Sequence, residues 1–174
     1  MKMIAAVDRK WGIGYQNKLL VSIPEDMKNF RMITTGGIVV MGRKTLESFP
    51  GGIPLAERTN IILSKDKNYK LKNGIVVHSM EEALERLQDF DTEDIYIIGG
   101  ESIYLQFLPY VDEALITYID YPYQADAYFP NLEQDEAWEM IEESEEQTYF
   151  NLEYYFRRYR KKQVNHASCI SFST

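Results

Sequence analysis

Asp26 stands in the run Ser22-Ile23-Pro24-Glu25-Asp26-Met27-Lys28-Asn29-Phe30-Arg31-Met32-Ile33, where the pattern reads as a helix carrying a carboxylate on its apolar face. Pro24 suits the first position of such a helix, since its missing N–H and fixed φ cost nothing there. Residues three and four apart share a helical face, so Asp26 stands with Phe30 and Ile33, and Ile23 and Met27 lie beside it. An ionised carboxylate in apolar surroundings needs a cation or several hydrogen-bond donors. No lysine or arginine on that face supplies one; a ligand rich in donors would. The alternative is dipole stabilisation in the first turn, which needs no ligand. Glu25 already fills that role, yet on helix position alone capping is the simpler account of Asp26.

Two further stretches suit phosphate. Val40-Met41-Gly42-Arg43-Lys44-Thr45 reads as a strand that ends in glycine and opens a helix with a pair of cations. A helix start offers free N–H groups and a positive dipole end, and Arg43 and Lys44 add full charges. In Ile97-Ile98-Gly99-Gly100-Glu101-Ser102-Ile103-Tyr104, adjacent glycines let the backbone approach a ligand closely at a strand-to-helix turn. Neither stretch matches a P-loop or the longer dinucleotide fingerprint. Both follow the carboxyl ends of candidate strands, where open α/β sheets bind ligands. A pair of anion-suited turns points to an elongated ligand with several phosphates, a dinucleotide.

The elements that must position these residues alternate along the chain. Short apolar runs at 3–7, 38–41, 60–63, 75–77, 95–98 and 114–119 read as strands, several nearly continuous in Val, Ile and Leu. Strands buried on both faces of a parallel sheet look like this. Helical patterns lie at 24–33, 43–48, 80–87 and 102–108, the third opening on the capping-box pattern Ser79-Met80-Glu81-Glu82. The alternation predicts an α/β sheet with right-handed crossovers. Towards the C-terminus, 138–142 and 151–160 read as an antiparallel pair joined by an acidic turn, with Leu152, Tyr154 and Phe156 on one buried face. The cations Arg157, Arg158, Arg160, Lys161 and Lys162 read as cross-strand partners of the acidic 133–146 stretch rather than a nucleic-acid patch. Residues 1–162 are expected to form one domain, and 163–174, which hold His166 and Cys169, a flexible extension without function.

Bulk properties narrow the classes. A chain of 174 residues that is 45% hydrophobic can bury a sizeable core. With 19 basic and 27 acidic residues the net charge is −8, which argues against nucleic acid or an anionic membrane as partner. No apolar run approaches the ~20 residues of a membrane helix, and Asp8 ends the apolar run 3–7 too early for a signal peptide. One cysteine excludes an intrachain disulfide and suits the cytoplasm. His78, His166 and Cys169 leave little material for a zinc site, so no metal is expected.

Six motifs in order make the chain resemble the dihydrofolate reductase family, in its bacterial form, over roughly residues 1–162. They are Ile4-Ala5-Ala6; Gly12-Ile13-Gly14 with Asn17; Ile23-Pro24-Glu25-Asp26; Met41-Gly42-Arg43-Lys44-Thr45; Pro54-Leu55 with Arg58-Thr59-Asn60-Ile61-Ile62-Leu63-Ser64; and Ile98-Gly99-Gly100 with Ile103-Tyr104. The resemblance implies a mixed, mostly parallel eight-stranded sheet flanked by four helices, with a C-terminal antiparallel hairpin. It also implies NADPH-dependent reduction of 7,8-dihydrofolate by a cytoplasmic monomer that takes small-molecule ligands, including antifolate inhibitors.

By that likeness Asp26 binds the pterin through its 2-amino group and adjacent ring nitrogen, which resolves the puzzle of its position. Thr117 fixes the Asp26 rotamer and, with Ile4, Ala6 and Ile98, lines the pterin and nicotinamide pocket. Met27, Phe30, Phe49 and Leu55 line the aminobenzoyl slot, and Arg58 grips the α-carboxylate of the glutamate tail. For NADPH, Gly42, Arg43, Lys44, Thr45 and Ser48 serve the phosphates, with Leu63, Ser64 and Lys65 at the adenosine end. Gly99, Gly100, Glu101, Ser102 and Ile103 hold the pyrophosphate, and Tyr104 lies near the nicotinamide. The stretch 8–20 forms a mobile loop over the nicotinamide, contacting it through Ile13, Gly14, Asn17 and Leu19, with Gly12 and Gly14 easing its rearrangement. His78, near the adenine side, reads as a solvated surface residue.

Three departures stand out. Leu20-Val21 replaces the Pro-Trp of many bacterial members, removing an indole that can hold a water near the pterin. Ser102 stands where some members have a cation, and Ala125-Asp126-Ala127 replaces Gly-Asp-Thr beside the mobile loop. A pyrimidine reductase of riboflavin synthesis shares the fold and cofactor and is the close alternative; a non-catalytic nucleotide-binding relative is the distant one.

Overall fold

The computed structural model describes residues 1–163; residues 164–174, with His166 and Cys169, lie outside the described residues. The chain runs through β1 (Lys2–Val7), β2 (Gly12–Tyr15), β3 (Lys18–Leu19), α1 (Pro24–Thr34), β4 (Ile38–Gly42), α2 (Arg43–Ser48), β5 (Thr59–Leu63) and β6 (Ile75–Val77). It continues through α3 (Met80–Leu87), β7 (Ile95–Gly99), α4 (Glu101–Phe107), β8 (Glu113–Ile119), β9 (Ala127–Tyr128), β10 (Trp138–Glu143), β11 (Gln147–Tyr149) and β12 (Leu152–Lys161). Eight strands form the main sheet in the order β10-β12-β8-β1-β7-β4-β5-β6, and β11 pairs onto β12 as a ninth. From β8 to β6 every pairing is parallel, while β12 runs antiparallel to both β8 and β10.

The apolar runs behave as strands covered on both faces. In β4 and β5, Val40 and Ile61 join the large core with Met3, Ile97, Ile116 and Phe107. Their neighbours Val39, Met41 and Ile62 turn to the other face and pack on Leu46 of α2. Alternate residues point to opposite faces, so a strand buried on both sides must be apolar throughout. The expected helix at 102–108 begins one residue earlier, at Glu101. Capping of α3 is shifted relative to the expected box: Ser79 Oγ accepts from Glu82 N at 3.1 Å, and the Glu82 carboxylate accepts from His78 N rather than from the cap residue.

The C-terminal pair is present but enlarged. Arg157 on β12 donates to Glu143 on β10 (2.6 Å) and to Glu133 (3.0 Å), and its guanidinium lies 4.0 Å from the Tyr118 ring centroid. Arg158 pairs with Glu142 and Glu113. The acidic connector is not merely a turn, since β11 within it adds to β12.

The expected mobile loop over 8–20 holds β2 and β3, which join β9 in a small sheet of order β3-β2-β9. Gln16 and Asn17 join β2 to β3 with φ of 48° and 60°. Positive φ at both central residues is the type I′ hairpin geometry that matches strand twist. Among the described residues, no helix is long and apolar enough to cross a membrane.

Candidate active site

The main sheet places the two glycine turns side by side. Gly42, at the end of β4, pairs with Leu63 of β5 on one side, and its neighbour Met41 pairs with Gly99 of β7 on the other. The carboxyl ends of three parallel strands therefore bring together Gly42 to Thr45, Leu63 to Lys65 and Gly99 to Ser102. Neither α2 nor α4 receives a side-chain cap from Gly42 or Gly100, so their first-turn N–H groups stay open for an acceptor. Gly99 has φ of +128°, and a Cβ built there would stand 3.5 Å from both Thr45 Oγ1 and the Tyr104 hydroxyl. Bare backbone thus faces Thr45 across a gap that a side chain would fill.

The side chains around these turns are unequally committed. Arg43 donates to Glu47 at 2.8 Å, reaches Asp66 at 3.5 Å and lies over the Tyr69 ring. Lys44 and Lys65 are exposed and, among the described residues, in no ion pair. Ser48 donates back to Thr45 O and Ser102 Oγ accepts from Gln106, so both hydroxyls are in use within their own helices. Glu101 accepts from Tyr128 N across to β9 at 3.2 Å. Ser64 is buried, and its carbonyl lies 2.9 Å from His78 Nδ1. That half-buried, engaged ring corrects the expectation of a freely solvated histidine. Tyr104 is a core residue, with its hydroxyl on Ile4 O at 2.7 Å and its pKa driven far up by burial.

A second cleft opens where β1 and β8 meet α1. Ala6 pairs with Thr117, and the Thr117 hydroxyl donates to Asp26 Oδ1 at 2.5 Å. Burial raises the Asp26 carboxyl above the ordinary carboxylate value, and the Thr117 hydrogen bond opposes that shift without cancelling it. Among the described residues no cation pairs with Asp26. Its carboxylate accepts from Thr117 on β8, and α1 has no side-chain cap, so capping does not explain it. The cleft is lined by Asp26, Met27, Ala6, Ile13, Leu19 and Leu20, together with Val7, Asp8, Val21 and Ile119.

The far end of α1 holds a cation in the complementary situation. Arg58 Nε donates to Ala56 O at 2.9 Å and Nη1 to Thr34 Oγ1 at 3.1 Å, and the guanidinium lies 5.9 Å from the Phe30 ring centroid. Burial lowers its pKa and the charge of nearby Arg31 lowers it further, with Glu57 opposing. Among the described residues no carboxylate pairs with it. Phe49, Leu55 and Ile98 pack on the cluster of Met41 and Leu46, Gly14 lies in β2 and Asn17 in the turn between β2 and β3.

Sequence reasoning passed over several residues of this site. Ile119 was discoverable, because on a strand it shares a face with Thr117 two positions earlier. Thr34, which orients Arg58, and Asp8, which is fully buried beside the cleft, gave no signal. A threonine in a last helical turn and an acid after a strand are ordinary features.

The chain matches the dihydrofolate reductase family model over residues 1–161. It is 33% identical over 162 residues to a dihydrofolate reductase of Staphylococcus haemolyticus, covering 92% of this chain and 95% of that one. It is 30% identical over 169 residues to a dihydrofolate reductase of Bacillus subtilis (strain 168), covering 96% and 98%. The solved structure of dihydrofolate reductase from Enterococcus faecalis complexed with NADP(H) and RAB-propyl superposes with a TM-score of 0.83 at 26% identity, covering 93% of this chain and 96% of that one.

Proposed function

The chain belongs to the dihydrofolate reductase family, and from that premise we propose how its residues carry the reaction. It is an NADPH-dependent oxidoreductase that reduces 7,8-dihydrofolate to 5,6,7,8-tetrahydrofolate. The pyrimidine reductase alternative loses its footing, since the matching family and the relatives named above are dihydrofolate reductases.

The observation that carries the site assignment is Asp26, a half-buried carboxylate whose only side-chain partner among the described residues is Thr117. A pterin offers the missing donors, its 2-amino group and the adjacent ring nitrogen. Thr117 holds the carboxylate in the rotamer that meets them, and burial makes that pairing strong because water does not compete. Asp26 so biases the ring towards accepting a proton at the nitrogen beside the reducible carbon. Water delivers that proton, and Val21, with no hydrogen-bonding group, does not hold it in place. Eight residues along α1 separate Asp26 from Thr34, about 12 Å of helix. That span sets Arg58 where a carboxylate at the far end of an elongated substrate can reach its remaining N–H groups. Phe30, Phe49 and Leu55 form the apolar floor between.

The two glycine turns fit NADPH: open helix-start N–H groups, bare backbone opposite Thr45, and the free cations Lys44 and Lys65 suit a ligand with three phosphates. Gly42 to Thr45 and Gly99 to Ser102 would hold it, with Ser64 and Lys65 at the adenosine end. When bound, it supplies the hydride. The chain's part is orientation and exclusion of water by Ile13 and Leu19.

Residues 1–162 are the proposed functional unit, working in the cytoplasm, a compartment suited to a chain with one cysteine. The test is loss of NADPH absorbance on adding dihydrofolate to purified protein; no oxidation would refute the enzyme. A chain cut after residue 162 should be equally active, and inactivity would refute the boundary.

A further inference from the structure

Asp8 is fully buried, yet among the described residues it is in no ion pair. Three backbone N–H groups satisfy it instead. Oδ1 accepts from Lys10 N and Gly12 N, each at 2.8 Å, and Oδ2 accepts from Tyr123 N at 2.9 Å. The first two donors belong to the turn that opens the β2–β3 segment over the cleft. The third belongs to the connection between β8 and β9. One carboxylate thus spans the seam between two chain segments that are far apart in sequence.

The seam is closed elsewhere by backbone bonds and by exposed side chains: Asp126 N donates to Gly14 O at 3.0 Å, and just beyond β9 Phe129 N donates to Trp11 O at 2.8 Å. Arg9 N donates to Tyr121 O at 3.3 Å, and the exposed Arg9 side chain pairs with Asp120. Gln16 N donates to Asp126 Oδ2 at 3.0 Å, also in exposed surroundings. Beneath these, Gly12 lies against Ala125 so tightly that a Cβ on Gly12 would stand 2.7 Å from the Ala125 Cβ and 3.2 Å from Asp8 Oδ1. A hydrogen bond to a buried charge outweighs an exposed one, since no water replaces it when it breaks. Both Asp8 and Ile13, the residue after the clamped turn, line the Asp26 cleft.

We propose that Asp8 is the positioning residue that clamps the base of the 8–20 segment to the β8–β9 connection, and so sets how firmly Ile13 and Leu19 cover the cleft. This rests on the reading of that cleft as the place where hydride is transferred. Asp8 touches no reacting atom; it acts through the Gly12 turn. The two oxygens divide the work, one shaping the turn and the other tying it across the seam.

That division selects the test. The side chain in Asp8→Asn has one carbonyl oxygen, so it can keep the Lys10 and Gly12 donors or the Tyr123 donor but not both. Its amide N–H groups then face the abandoned backbone N–H. Gly12→Ala pries the same seam open from the other side, through Ala125, and leaves the carboxylate intact. Hydrogen exchange of the full chain reads the seam directly, and stopped-flow release of NADPH reads its effect on the cleft. In both variants the Tyr123 amide is expected to exchange at least about tenfold faster, with β1 and β8 amides still protected and NADPH release several-fold faster. In steady state kcat should change while KM for dihydrofolate stays within about twofold. Unchanged Tyr123 exchange in Asp8→Asn would overturn the clamp, as would loss of protection spread evenly through β1 and β8, the mark of a merely structural residue. Faster seam exchange with unaltered NADPH release would overturn the link to the cleft. Failure of the wild-type chain to oxidise NADPH would instead strike the functional reading, leaving the exchange result to stand alone.

Discussion

Replacing Arg58 by alanine should raise KM for dihydrofolate by about 100-fold. The guanidinium is already oriented by Ala56 O and Thr34 Oγ1 and, among the described residues, is in no ion pair, so its remaining N–H groups are free for a substrate carboxylate. A hydrogen bond to a charged group contributes about 1.5–3 kcal/mol, and the half-buried setting favours the lower figure. A forked contact then amounts to about 3 kcal/mol, and each 1.36 kcal/mol is about tenfold. The fold should survive, because Thr34 keeps its bond to Phe30 O and no buried donor is orphaned. Arg58→Lys, which retains charge without the fork, should fall between, near tenfold. Steady-state kinetics with dihydrofolate and with a dihydropterin lacking the glutamate tail separate the effects. Only the tailed substrate should suffer, with kcat at saturation little changed. An equal KM change for both substrates would refute the tail contact, since the damage would then lie at the ring.

Asp26→Asn should slow hydride transfer by about 100-fold or more while NADPH binding persists; single-turnover kinetics beside a cofactor titration checks both, and parallel losses would make Asp26 structural. The same variant should raise the melting temperature of the ligand-free protein at pH 7. Because the folded pKa lies above the ordinary 3.8, ionisation of Asp26 costs stability as pH climbs through that window, so the variant's advantage should vanish in acid; a constant advantage at all pH values would contradict this. Thr117→Val removes the Asp26 donor, which holds the carboxyl down, and should shift the acidic limb of the kcat profile upward; an unmoved limb would mean the hydroxyl plays no part. Gly99→Ala forces a side chain into positive φ and into the gap before Thr45, so NADPH Kd should rise about tenfold or more, and unaltered binding would remove that turn from the cofactor site.

The main sheet was legible because burial on both faces demands unbroken apolar runs, and β1, β4, β5, β7 and β8 each carry one. The helix starts were legible for an equally local reason, a proline at 24 and glycines at 42 and 100. The small sheet was not. Gly12–Tyr15 and Lys18–Leu19 are too short and too polar for periodicity to register, and their pairing with Ala127–Tyr128 is a long-range event. For the site, residue type singled out Asp26, and the family likeness supplied Arg58 and Thr117, but neither pointed to Thr34 beside Arg58. Arg43 illustrates the limit: its charge suggested a phosphate partner but gave no sign of Glu47, Asp66 and Tyr69, which hold its guanidinium.

Asp26 and Arg58 show why the unsatisfied groups, rather than the well-paired ones, identify the substrate. Each is partly desolvated, each has its pKa moved by burial towards the neutral form, and neither has an ion-pair partner among the described residues. Such groups weaken the ligand-free fold, so they persist where a ligand restores what burial removed. They do not restore each other, because Arg58 is bonded to Thr34 at the far end of α1, about 12 Å of helix from Asp26. A ligand that answers both must carry hydrogen-bond donors at one end, a carboxylate at the other and a flat apolar body between. Dihydrofolate has that distribution. A pterin without its tail answers only Asp26, and a glutamate alone answers only Arg58. Binding of the two fragments together should therefore fall short of the intact substrate by the advantage of linkage, and the Arg58→Ala variant should abolish that difference.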